Sequence, residues 1–238
     1  MLASYLLRTQ QLLQNPAAAT SLYSTPDLYS YINTARGQIA GEANCVRHQG
    51  TLALTTSDQT YPFTAINTGV STVTGINLVL NVRGVTLGVA SGQVWLSPRP
   101  FPYFQLYYLN NAVPQAGQPR EYSQYGQGEA GSIYFSAMPD FTYTATLDCV
   151  CTPITLVDDT TVEAIPYPWT DCVPYFAAYL AYLSAQRTSD ADHMWQIYQT
   201  FMTRARQMAN GEVNPSQFAQ SANPVRMNQL GVSGGGGQ

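Results

Sequence analysis

The chain has no lysine, and all ten of its basic residues are arginine. Lysine usually keeps a lone surface hydrated and an exposed strand edge unattractive, whereas arginine and tyrosine concentrate where surfaces meet. The absence fits a protein covered by neighbours, although the base composition of a GC-rich genome produces the same exchange. Charge of either sign is also scarce. Charged residues make up 10% of the 238, against about 25% in ordinary soluble domains. Solubility therefore rests on neutral polar groups, with tyrosine abundant at 17. A net charge of −4 denies the chain the basic face needed to grip phosphates, but does not stop DNA from sliding past.

Catalytic patterns are missing as well. HExxH and GxxxxGK do not occur, and GxSxG is absent from any strand-to-helix context. Gly126, Gly128 and Gly131 have GxGxxG spacing, yet they lie between β-like segments with no following helix and read as a loop. Asp158 and Asp159 are adjacent, so on extended chain they point to opposite sides and read as a solvated turn. His48 has no nucleophile near it, and His193, beside Asp190 and Asp192, reads as a surface or interface residue. Of four cysteines, Cys149 and Cys151 share a strand face with Leu147, while Cys45 and Cys172 stand alone. No zinc set forms, and buried thiols are predicted. These readings predict no enzyme, no catalytic residue, no metal and no cofactor. Glutamine and arginine interrupt the N-terminal apolar positions, so no secretory signal is read there, and no apolar run is long enough to span a bilayer. The expectation is a soluble, cytoplasmic chain with no membrane partner.

What is present falls into a definite order. Residues 2 to 14 place Leu2, Tyr5, Leu6, Leu12 and Leu13 at helical spacing, and Asn15 and Pro16 stop the helix. TPDLYSYINTARGQIAGEA then predicts a second helix with Thr25 as N-cap, Pro26 first and Asp27 near the positive end of the dipole. Its face is Leu28, Ile32, Ala35, Ile39 and Ala43. From Cys45 the period becomes two, and CVRHQGTLALTT, QTYPFTAI, STVTGINLVLNV, VTLGVA and GQVWLSP read as strands. In the later stretch Ile133 and Phe135 alternate with Tyr134 and Ser136. After Met138, Pro139 and Asp140 the alternation resumes, with Phe141, Tyr143, Ala145 and Leu147 on one face. The break predicts a hairpin corner.

Helical period returns in YFAAYLAYLSAQ, capped by Thr170 or Asp171, with Val173, Phe176, Ala177, Leu180 and Leu183 on one side. A longer helix follows, capped by Ser189, with Met194, Ile197, Phe201, Ala205 and Met208 as its stripe. Arg204 and Arg206 are placed in its last turn, and Asn210 and Gly211 end it. The remaining residues, ending GVSGGGGQ, have too few apolar side chains to order alone. They still carry Val213, Phe218, Val225, Met227 and Leu230 at the spacing of a docking segment; a merely solvated terminus is the other reading.

The fold class is therefore α+β. N- and C-terminal helices form a bundle (residues 1–44 and 169–211), an antiparallel β domain is inserted (45–168), and an extended C-terminal tail follows (212–238). This order, with GQPREYSQYGQGEAGSIYFSAMPDFTYTATLD, TPITL and IPYPWTDCVPYFAAYLAYLSA, resembles the head-to-tail adaptor (connector) proteins of tailed, especially short-tailed, bacteriophages. The matching positions are Gly117, Pro119 and Tyr122, then Pro139, Asp140 and Tyr143, then Pro153 and Leu156, and finally Tyr175 through Ala181.

The resemblance implies a virion structural protein at the neck, assembled in the host cytoplasm. A homo-oligomeric ring of about twelve copies would dock under the portal protein, join tail or nozzle proteins, and pass double-stranded DNA without specific binding. The C-terminal tail, through Val213, Phe218, Val225, Met227 and Leu230, would contact the portal. Trp95, Tyr103, Tyr107 and Tyr108 are the candidate contacts with tail components, though a packed core or subunit contact explains these aromatics equally. A tail terminator, stopper or tail-tube ring protein is the nearest alternative. A carbohydrate- or receptor-binding β module, using the same aromatics as platforms, is the alternative from another class.

Overall fold

The computed structural model describes residues 1–15, 22–56, 58–90, 92–109 and 116–211. Helices α1 (Leu2–Leu13) and α2 (Thr25–Ala43) open the chain, and single turns α3 (Ser71–Thr74) and α4 (Phe101–Phe104) interrupt its middle. Helices α5 (Val173–Ser184) and α6 (Thr188–Gly211) close the described part. Among the described residues, ten strands lie between α2 and α5: β1 (Arg47–Leu54), β2 (Thr60–Pro62), β3 (Ile76–Val89), β4 (Gly92–Trp95) and β5 (Ser97–Pro98), then β6 (Ala116–Gly117), β7 (Glu121–Tyr125), β8 (Ser132–Phe135), β9 (Met138–Pro139) and β10 (Tyr143–Pro153). The architecture is α+β.

One sheet has the order β1-β10-β3-β4 and is antiparallel throughout. A second has the order β2-β8-β7-β5, and β6 pairs with β9 in a short parallel ladder. Helix α5 touches α1, α2 and α6. Its sequence VPYFAAYLAYLS is apolar on nearly every side, and three buried alanines, Ala177, Ala178 and Ala181, let its neighbours approach closely. One core runs unbroken from these helices into the first sheet, joining Ile39, Ala40, Phe176 and Tyr198 to Val46, Leu147 and Cys149.

Several local expectations are corrected. The chain between β8 and β10 is not a hairpin: β8 belongs to the second sheet and β10 to the first, so Met138, Pro139 and Asp140 carry the chain across. Pro139 pairs there with Gly117 and leaves Phe141 exposed rather than on the buried face. STVT winds into α3, ended by Gly75 at φ +69°, rather than opening a strand. INLVLNV and VTLGV are one continuous strand, β3.

The cap of α2 is Ser24, one residue before Thr25. Its Oγ accepts from the Asp27 amide at 3.3 Å and donates to Asp27 Oδ2 at 2.5 Å. Ser24→Ala is expected to cost about 1 kcal/mol, read as a lowered midpoint in urea. Neither Thr170 nor Asp171 caps α5, which continues directly from a tight turn at Trp169–Cys172. Helix α6 starts before Ser189; Ala191, Tyr198, Met202 and Ala205 are buried, Met194, Ile197 and Phe201 of the predicted stripe pack half-buried against the core, and the predicted Met208 is exposed. It also runs on to Gly211, leaving Arg204 and Arg206 short of its last turn.

Candidate interaction site

Prolines build the exposed aromatic corner. Pro100 and Pro102 fix the first turn of α4, and the chain then widens into a π-turn at Gln105–Leu109. Phe104 is buried and packs on Tyr108, with ring centroids 4.8 Å apart, while Phe101 sits 4.6 Å from Tyr125 of β7. The aromatic turn is thereby fastened onto the second sheet.

Glu121, at the start of β7, organises the polar side. Its Oε1 accepts from Arg99 Nε at 2.9 Å and from the terminal guanidinium nitrogen at 2.6 Å. Its Oε2 accepts from the Tyr108 hydroxyl at 3.0 Å. Burial, followed by that bond, pushes the Tyr108 phenol above its ordinary value. The Arg99 guanidinium also lies over Tyr103, 5.4 Å from the ring centre. Tyr103, Tyr107 and Tyr108 converge with Gln59, Arg120 and Glu121 around an open cavity of about 440 Å³. Trp95 stands apart on β4 of the first sheet, 74% exposed, and does not line that cavity. The predicted portal contacts Val213, Phe218, Val225, Met227 and Leu230 lie outside the described residues.

A second constellation joins the helices to the returning chain, and the sequence reading missed it. Arg36 of α2 is 1% exposed and forks onto Glu163, with Nε to Oε2 at 2.9 Å and the terminal nitrogen to Oε1 at 2.8 Å. Its other nitrogen donates to the Ile154 carbonyl at 2.6 Å and to Asn33 Oδ1 at 3.1 Å. Asn33 also clasps the backbone of Leu156, accepting at 2.8 Å and donating at 3.1 Å. A signal was available: Arg36 falls four residues after Ile32 and three before Ile39, on the apolar stripe itself.

The motif positions have structural work. Gly117 pairs with Pro139, and Tyr143 donates to Asp140 Oδ1 at 2.6 Å. The buried Tyr122 donates to the Arg83 carbonyl at 3.1 Å, and Leu156 is held by Asn33. These residues fix the crossing between sheets and the return to the helices.

The four cysteines are free. Burial pushes the Cys149 thiol up to about 11 and those of Cys45, Cys151 and Cys172 up to about 12. Only thiolate attacks readily. All four thiols are therefore expected to resist a disulfide reagent at pH 8 until the chain is unfolded, a result read by absorbance before and after denaturant. Asp158 accepts from the hydroxyls of Thr160 and Thr161, which hold it below the usual carboxylate range. Asp159 accepts from the N-terminal ammonium and the Ala3 amide, each at 2.8 Å. His193 is exposed. Among the described residues, no three His, Cys, Asp or Glu gather as a metal site, and no helix is long and apolar enough to cross a membrane.

A family model described as SU10 adaptor protein matches residues 3–227. No curated protein matches the chain.

Proposed function

Because the chain belongs to the SU10 adaptor protein family, a family of phage head-tail adaptors, we propose that it assembles as a ring of about twelve copies beneath the portal, joins the capsid to tail or nozzle proteins, and lines the DNA exit channel. The observation that carries this reading is the extent of the match, which takes in the paired helices at both ends, the strands between them and the chain beyond α6 as far as Met227. In this reading the protein is structural rather than catalytic, assembled in the host cytoplasm and retained at the virion neck.

The two ends of the subunit would serve unlike partners. Residues 1–44 and 169–211 form the frame, and the tail from 212 onward, through Val213, Phe218, Val225, Met227 and Leu230, clasps the portal. Residues 45–168 face the tail, with Tyr103, Tyr107 and Tyr108 as one contact and Trp95 as a separate one. The net charge of −4 repels DNA over the short screening length of cellular salt, so the genome passes without sticking. A stacking platform for sugars is less well served by the corner, because Tyr103 and Tyr107 tilt by 41° and Tyr103 and Tyr108 by 69°.

Imaging purified protein mixed with its portal tests the assignment. A ring of density seated under the portal is expected. A ring found only farther down the tail would support a terminator or tube protein instead, and failure to bind portal would end the reading.

A further inference from the structure

The first sheet ends on β1 and β4, and each leaves part of its outer edge unpaired. On β1, Thr51 turns its backbone outward to Asn67, donating at 2.9 Å and accepting at 2.8 Å. Backbone groups alternate sides along an antiparallel strand, so Arg47 and Gln49 also point outward. On β4, the residue after the strand, Leu96, donates inward to Val85 at 3.0 Å. Val94 and Gly92 therefore bond inward as well, and Gln93 and Trp95 point outward. Among the described residues nothing pairs with the outward N–H and C=O groups of Arg47, Gln49, Gln93 or Trp95.

Edges elsewhere in the molecule are guarded. The outer strands of the second sheet are three and two residues long, and end in Pro62 and Pro98. Where β3 runs past the end of β4, Gln124 accepts from the Val82 amide at 2.9 Å and Tyr122 donates to the Arg83 carbonyl at 3.1 Å. By contrast β1 pairs with β10 for eight residues without a bulge and carries neither proline nor lysine.

Resting on the ring reading above, we infer that β4 of one subunit pairs with β1 of the next, extending the first sheet from copy to copy. Three features of the edges match. Each offers two consecutive outward residues, so Gln93 meets Gln49 and Trp95 meets Arg47. The order β1-β10-β3-β4 alternates direction at every step, so β4 runs opposite to β1, and the new pairing is antiparallel without turning a subunit over. The side chains of all four residues lie on the exposed face of the sheet, so the joined sheet keeps its buried face continuous. Within each subunit the Arg47 guanidinium forks onto Asp148 and the Trp95 indole leans over Gly84, so neither side chain stands in the way of the new backbone ladder. This is a head-to-tail contact between unlike patches, the kind that closes into a ring.

The test places cysteines in the assembled protein. Gln49→Cys with Gln93→Cys, bound to portal and oxidised, is expected to give a ladder of covalent multimers on a non-reducing gel, because directly opposed strand residues lie within disulfide reach. Neither single variant should cross-link. Rings imaged on portal without cross-links would overturn the pairing while leaving the ring itself standing, and dimers from Gln49→Cys alone would show β1 meeting β1. Gln93→Pro gives an independent reading, since its N–H is unused within the subunit and edge strands tolerate proline. It should keep the wild-type melting temperature and lose ring formation; normal rings from this variant would also overturn the pairing. Wild-type protein serves as the control, and its failure to form rings on portal would remove the parent reading and this one together.

Discussion

Arg36→Ala is expected to destabilise the subunit by about 3–5 kcal/mol, the cost of leaving a buried charge without its partner. Both members of the pair are removed from water, Arg36 at 1% and Glu163 at 6% side-chain exposure. The substitution strips Glu163 of two short bonds and takes a donor from the Ile154 carbonyl. Glu163 still accepts from the Ile165 amide at 2.9 Å, so it keeps one polar partner but no cation. It also faces Tyr5, whose phenol is pushed above its ordinary value by burial and then by the Glu163 charge. Urea denaturation gives the number. A loss below about 1 kcal/mol would mean that the pair behaves like an exposed one. Arg36→Met with Glu163→Leu should recover much of the loss, because removing both charges leaves no orphan. Residues 154–165 are the first part of the connection from β10 to α5, so hydrogen exchange in Arg36→Ala should quicken there before it does in β3 or β10.

How much of this was legible follows from which interactions are local. Helix α2 announced itself because Pro26, Asp27 and a 3.6-residue stripe all lie within its own nineteen residues. Its cap slipped by one, since serine and threonine are both good caps and adjacent here. The buried centre of α6 lies to one side of its predicted stripe for a different reason. Two stripes run side by side in MWQIYQTFMTRA, and tertiary packing buries more deeply the one with Tyr198, which packs on Phe176 and donates to Glu42 at 3.1 Å, while Met194, Ile197 and Phe201 stay half-buried. Nothing in α6 itself records that Glu42 waits across the interface.

The sheet exchange at Pro139 was hidden likewise. A turn-forming triplet between two alternating runs has the same sequence whether the second strand returns beside the first or joins another sheet. Only Gly117, more than twenty residues upstream, distinguishes the cases by pairing with Pro139. At the candidate site, Tyr103, Tyr107 and Tyr108 were visible as an aromatic run, but Glu121, which orients Tyr108 and Arg99, was not. An isolated glutamate carries no mark of the strand pairing that sets it opposite Ser97.

Deleting residues 212–238 is expected to abolish stable attachment to portal while leaving the subunit folded. The buried clusters are built from residues between Leu2 and Ala205, so the truncation takes nothing from the described core. Melting temperature should therefore stay near the wild-type value. For attachment the balance is close. Ordering a backbone costs about 1–2 kcal/mol per residue, and burying an apolar anchor returns about 1.5–3 kcal/mol. Val213, Phe218, Val225, Met227 and Leu230 thus roughly offset the ordering of their own immediate segments, and one tail alone should bind weakly. In a ring each engaged tail holds the others near their sites, so overall affinity climbs by orders of magnitude over a single contact. This predicts a steep rather than proportional response. Phe218→Ala, repeated in every copy, should weaken attachment far more than the same change in an isolated tail peptide, because the loss is multiplied around the ring. Co-sedimentation of portal with wild-type, Phe218→Ala and truncated protein measures the series, and normal attachment of the truncated chain would remove the clasp.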